Sequence, residues 1–209
     1  ECNKQLAEEI GIPQSAATCC VKPSGTVSQL VDSASGIHHR HSPYYIRRVR
    51  GDIKDPLTQF MISKGVPYEP CVMKPDTTVV FSFPKKAPEG ATTRNDVTAM
   101  EHLDLWLTYQ RHFCEHKPSI TVSVKEDEWM DVGAFVWKHF DEISGVSFLP
   151  MDGGSYRQAP YEEITKEEYD VMYEASIKTI DWSEMIESED VTTGTQELAC
   201  SGGSGCEII

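Results

Sequence analysis

Near the end of the chain two cysteines, Cys200 and Cys206, are separated only by Ser-Gly-Gly-Ser-Gly. Five small residues let two thiols close into a disulfide loop, and a Gly/Ser setting leaves the pair open to exchange with another disulfide. That is the requirement of a thiol shuttle. A zinc half-site is the competing use, but its spacing is usually about two to four residues and the segment offers no further Cys or His. The other five cysteines, Cys2, Cys19, Cys20, Cys71 and Cys114, are dispersed. They form no secreted disulfide framework, and Cys71 and Cys114 read as buried small hydrophobes.

A second group able to do chemistry is Lys22-Pro23-Ser24-Gly25-Thr26-Val27-Ser28, ahead of Gln29 to Ala34, which reads as a helical turn or two. A glycine lets the backbone approach a ligand closely. N–H groups at a helix start, beside the hydroxyls of Ser24, Thr26 and Ser28, form a neutral anion cradle suited to phosphate. The same pattern also serves as a plain N-cap and turn, and its spacing is not that of a Walker loop. His38-His39-Arg40-His41 suggests a metal, yet three imidazoles so close along one loop converge poorly on one ion and no Asp or Cys nearby completes the set. The run reads as a surface loop, and no metal site is expected.

The elements that must position these groups alternate between helix and strand, as in an α/β layer or barrel. Asp55-Pro56 caps and opens a short helix stopped by Gly65, and Thr77 to Phe83 reads as a strand ended by Pro84. Tyr44 to Arg50 alternates as a strand whose arginines are solvated or paired with acids. Thr93 to Asp96 signals the start of a helix to about Glu115, with Leu103, Trp106, Leu107 and Gln110 at helical spacing. Ile120, Val122 and Val124 alternate at period two. Lys125 to Glu142 returns to helical period through Trp129, Val132, Val136 and Phe140; Gly145 to Leu149 is a further strand closed by the turn Asp152-Gly153-Gly154. Thr165 and Glu168 make a capping box for a helix to about Ile180.

The 33 acidic residues outnumber the 19 basic ones, giving a net charge of −14. An acidic chain lacks the footprint of a nucleic-acid binder, and no run of about 18 apolar residues or secretory leader is present. A cytoplasmic protein with neither nucleic-acid nor membrane partners is expected. The chain starts without Met, which suggests a piece of a longer polypeptide.

The run KPSGTVSQLVDSASGIHHRHSPYYIRRVRGD, from Lys22 to Asp52, resembles class II ribonucleotide reductases, especially the monomeric adenosylcobalamin-dependent ribonucleoside-triphosphate reductases. SITVSVKEDEW from Ser119 and HFDEISGVSFLPMDGGSYRQAPYEEIT from His139 extend the resemblance to nearly the whole chain. It implies that residues 1–186 are the C-terminal part of a ten-stranded α/β barrel and 187–209 a flexible redox-thiol tail. In that family a thiyl radical, generated with adenosylcobalamin, abstracts the ribose 3′-hydrogen and two thiols supply the electrons that remove the 2′-hydroxyl. By resemblance, Ser24, Gly25, Thr26, Val27 and Ser28 hold the substrate's phosphates. Cys200 and Cys206 re-reduce the active-site disulfide and are renewed by thioredoxin or a similar dithiol. The 13 residues from Glu187 to Cys200 span about 20 Å as a coil and at most roughly 45 Å extended, enough for such a shuttle.

The family's Asn-x-Cys-x-Glu segment with the radical cysteine does not occur here, so this chain is expected to be inactive without the N-terminal part of the reductase. Cys19 and Cys20, adjacent and followed by Val-Lys-Pro, are not assigned to that radical role. Met151 to Gly154 and Gln158 to Tyr161 look like family landmarks with turn and packing roles, and no cobalamin ligand is assigned. A fragment of a class I large subunit and a non-catalytic thiol redox module are the alternatives.

Overall fold

The computed structural model of the chain describes residues 1–25, 27–151, 157–176 and 179–186. In chain order its elements are α1 (Cys2–Ile10), α2 (Val27–Leu30), β1 (Tyr44–Asp52), α3 (Pro56–Ser63), β2 (Tyr68–Pro70), β3 (Thr78–Lys86), α4 (Ala99–His112), β4 (Ser119–Val124), α5 (Trp129–Lys138), β5 (Gly145–Pro150), β6 (Tyr161–Glu163) and α6 (Lys166–Ala175). They divide into two units, one of Glu1–His39 with Arg94–Met151, the other of Arg40–Thr93 with Asp152–Ile209.

In the first unit β4 and β5 pair in parallel from Ser119 opposite Gly145 to Val124 opposite Pro150. Parallel neighbours need a crossover, and α5 supplies it. The alternation of β4 sends Ile120, Val122 and Val124 into a core shared with Ala99, Leu103, Trp106 and Leu107 of α4 and with Val132 and Phe135 of α5. The expected faces need two corrections. The segment Thr93 to Asp96 is not the helix start: Thr98 is the cap, its hydroxyl accepting from Glu101 N while the Glu101 carboxylate accepts from Thr98 N. Thr93 instead forms a bridge with Arg40, so a strand-like contact claims the residue before the helix begins. On α5 the buried stripe is Val132 and Phe135, whereas Trp129 and Phe140 are exposed. The chain leaves the helix at His139, so Phe140 never completes the period.

The second unit is a sheet in the order β2-β3-β1-β6, antiparallel throughout. The long pairing runs from Tyr44 opposite Lys86 to Asp52 opposite Thr78. Pro84 therefore does not end β3, which continues to Lys86. Among the described residues β2 covers only Val79 to Phe81 of the other edge of β3, and an edge is where a proline's missing N–H is tolerated. The Asp55 carboxylate accepts from Leu57 N and Thr58 N to cap α3, as expected. Val66, Val79 and Phe81 form a small core with Met61, Ile62, Phe83 and Ile180. The capping box of Thr165 and Glu168 opens α6. That helix stops at Ala175, with an extended Ser176 at its end, and does not reach Ile180.

The α/β class is observed, as a two-stranded parallel and a four-stranded antiparallel sheet; the described strands form no ten-stranded barrel by themselves. Among the described residues no helix is long and apolar enough to cross a membrane.

Candidate functional site

The serine-rich loop is held by hydroxyls that bind its own backbone. Ser35 Oγ accepts from Ser24 N at 2.8 Å and donates to Ser24 O at 3.0 Å, so one side chain fixes both polar groups of Ser24. Ser24 Oγ accepts from Ser28 N at 3.0 Å, and Ser28 Oγ donates back to Ser24 O at 3.3 Å. Ser28 and Ser35 are buried. The helix that follows is one turn, shorter than the expected stretch to Ala34, because the chain reverses at Asp32 with φ 50°. Thr26 lies outside the described residues.

Gly25 contrasts with these crowded neighbours. A Cβ there would meet nothing within 4 Å, and its φ is outside the left-handed region. Among the described residues nothing requires glycine at this position, whereas a ligand approaching the backbone would. At Gly36 the constraint is internal: φ is +60° and a Cβ would stand 2.9 Å from Lys22 O. Close approach of the Ser35–Gly36 turn to Lys22 is what lets Ser35 reach Ser24.

The same segment covers the edge of β4 that faces away from β5. Ser119 N donates to Val21 O at 3.4 Å and Lys22 Nζ to Ser119 Oγ at 2.7 Å. Two residues on, where the strand's N–H points the same way, Thr121 N donates to His38 Nε2 at 2.9 Å. An imidazole nitrogen here replaces a strand carbonyl. His38 Nδ1 lies 2.8 Å from Ser35 O. A carbonyl only accepts, so Nδ1 carries the proton and Nε2 is the bare acceptor, a neutral tautomer dictated by its two partners. Burial, opposed by the Ser35 hydrogen bond and assisted by His39, holds the His38 pKa below its ordinary value.

His102 of α4 reaches the preceding residue of the loop, its Nε2 donating to Ile37 O at 3.1 Å. Burial, with His39 and His38 nearby, lowers its pKa to about 4. The rings of His38 and His39 lie 5.7 and 5.0 Å from that of His102. Burial likewise lowers His39, against the pull of Asp96 and Glu101. The expectation of an exposed histidine loop is thus corrected: His38, His39 and His41 are only partly accessible, and backbone groups of Ser35 and Thr121 hold the His38 ring inward. Among the described residues no group of three or more His, Cys, Asp or Glu side chains is gathered as for a metal ion. Ser35, His38 and His102 were not singled out as loop supports by sequence; the adjacent histidines were the only available signal.

In the second unit the arginines of β1 are spent on one turn. Arg47, Arg48 and Arg50 donate to the carbonyls of Pro160, Ala159 and Gln158 at 3.4, 3.1 and 2.9 Å, and Arg48 pairs with Glu162. Gln158, at φ 56°, accepts from Val72 N and donates to Pro70 O through its amide. This gives the Gln158 to Tyr161 segment the packing role read from sequence. Cys71 is buried as expected, but Cys114 is only partly so. Burial opposes ionisation of the Cys71 thiol, yet hydrogen bonds from Lys74, Met73 and Arg50 outweigh it and lower the pKa. Cys200, Cys206 and the Asp152-Gly153-Gly154 turn lie outside the described residues.

No family model matches the chain. Comparison with curated proteins finds an adenosylcobalamin-dependent ribonucleoside-triphosphate reductase of Euglena gracilis, 36% identical over 79% of this chain and 23% of that protein. A probable enzyme of the same name from Dictyostelium discoideum is 31% identical over 100% of this chain and 27% of its own length. Among solved structures, a B12-dependent (class II) ribonucleotide reductase matches with a TM-score of 0.65 and 26% identity, over 85% of this chain and 25% of that one. The chain spans about a quarter of the length of the relatives it matches.

Proposed function

Because the chain belongs to the adenosylcobalamin-dependent (class II) ribonucleotide reductases, we propose that it works within a reductase converting ribonucleoside triphosphates to 2′-deoxyribonucleotides. Its share is the loop Ser24, Gly25, Thr26, Val27 and Ser28, which receives the substrate's phosphates, and the thiols of Cys200 and Cys206, which return electrons. The observation that carries the reading is the open backbone at Gly25 between two internally bonded serines. Hydroxyls that shape the loop leave the ligand to the backbone, and a backbone surface free of Cβ suits a phosphate. Ser24 and Ser28 then act by holding the loop's form.

The tail thiols give two electrons and two protons to an active-site disulfide, becoming a disulfide themselves, and a dithiol such as thioredoxin reduces that in turn. Adenosylcobalamin, when bound by the complete enzyme, supplies the radical chemistry. No cobalt ligand is assigned to this chain, and the part proposed for it is nucleotide binding and electron return. The remainder of the reductase must supply the radical cysteine, and the chain alone is inactive.

The test is reduction of CTP by the complete polypeptide with thioredoxin, with and without adenosylcobalamin. Product formed only with the cobalamin supports the reading. Turnover that instead needs a metal-radical subunit overturns it. Replacing Cys200 and Cys206 with Ser is expected to stop thioredoxin-driven turnover while dithiothreitol-driven turnover persists; equal activity with both donors removes the shuttle role.

A further inference from the structure

We infer that Ser35 and His38 are positioning residues for the phosphate loop, joining it to the edge of β4 through a continuous chain of hydrogen bonds. The inference rests on the phosphate-loop reading above and adds what controls that loop's affinity. The chain begins at Ser24, both of whose backbone groups are held by Ser35 Oγ. Ser35 O then accepts twice from His38, from its backbone N at 3.0 Å and from Nδ1 at 2.8 Å. His38 Nε2 accepts from Thr121 N, in the strand whose neighbours Ile120 and Val122 are buried core. The loop's shape is therefore referred to a strand of the buried core and not to solvent.

The polarity of the relay matters. The His38 ring donates through Nδ1 to Ser35 O, and Thr121 N–H needs a lone pair opposite it, which Nε2 supplies. Imidazolium has none. Facing His38 are His39 on its own segment and His102 from α4; the β4 group facing it is the uncharged Thr121 N–H. Protonation of His38 breaks the link to β4, releases the Ser35 turn, and weakens phosphate binding without touching the reacting atoms.

The experiment uses the complete reductase, with adenosylcobalamin, CTP as substrate and inorganic tripolyphosphate as a competing probe of the phosphate site. Ser35→Ala is expected to raise KM for CTP and the inhibition constant of tripolyphosphate together by about tenfold, the effect of losing a hydrogen-bond pair. The kcat stays within about twofold. Ser35→Thr, which keeps the hydroxyl, restores both constants. In the parent enzyme both constants rise as the pH falls through the ionisation of His38. His38→Gln, whose amide oxygen accepts from Thr121 N but does not titrate, flattens that profile. Gly25→Val is the control for the underlying reading, because its side chain enters space that the described chain leaves empty. If Gly25→Val raises both constants and Ser35→Ala does not, the positioning role is overturned and the phosphate loop stands. If Gly25→Val changes neither, the phosphate-loop reading falls and the relay with it. A loss of kcat with unchanged KM in Ser35→Ala also overturns the proposal.

Discussion

The indole nitrogen of Trp106 donates to the carbonyl of Pro118 at 3.2 Å, linking the middle of α4 to the residue that precedes β4. Trp106 is fully buried, so the bond lies in the core itself. Trp106→Phe strands a buried carbonyl and leaves a void. The expected loss is about 2–3 kcal/mol of unfolding free energy, read as a lowered midpoint in urea with an unchanged slope.

The depressed ionisation of His102 makes stability depend on acidity in a defined window. Its folded pKa of about 4 lies below the ordinary 6.5. The unfolded chain therefore binds the proton first, and stability is intact above about 6.5, falls as the pH drops below it, and stops falling near 4. The full effect is about 3 kcal/mol. Urea titrations across this range should show the decline, and His102→Asn, which keeps an N–H for Ile37 O but does not titrate, should remove most of it.

Glu142 accepts from Arg111 Nε and Nη2 at 2.7 and 2.6 Å and lies 3.0 Å from His139 Nδ1. The Arg111 hydrogen bonds, followed by that of His139, bring its pKa down to about 2. Its contribution is present above the ordinary 4.5 and lost as the pH falls towards 2. Arg111→Ala should return the carboxyl towards its ordinary range, measured by carbon NMR titration of the side chain; no movement refutes the pairing.

At Gly36 an added methyl meets both a left-handed φ and Lys22 O at 2.9 Å. Gly36→Ala is expected to cost about 1–3 kcal/mol of stability. Because the strain falls on the turn that carries Ser35, the variant should also weaken nucleotide binding in calorimetry, whereas Gly11→Ala, with no contact within 4 Å, should not.

Much of the fold was legible where local chemistry determines it. Asp55-Pro56, the Thr165/Glu168 box and the alternation of Ile120, Val122 and Val124 gave their elements directly. The start of α4 was misplaced because Thr93 and Thr98 are both plausible caps, and only the bridge to Arg40 decides between them. Pro84 misled because its effect depends on which strand edge it occupies. At the site, the Ser24 to Ser28 loop stood out by composition. The partnership of Ser35 with Ser24 and of His38 with Thr121 did not, since contacts across 11 and 83 residues carry no periodic signal.

Both units are built from two stretches of chain that alternate in sequence. On a ribosome adding roughly 5–20 residues per second, Tyr161 emerges on the order of ten seconds after its partner Arg47. Until then β1 displays an unpaired edge, the kind of surface on which nascent chains aggregate. The arginines at 47, 48 and 50 that later grip the turn before β6 put positive charge along that strand throughout the wait. Residues that serve as clamps in the finished molecule are thus also gatekeepers during its synthesis, and neutralising them is expected to reduce yield before it alters any property of the folded protein.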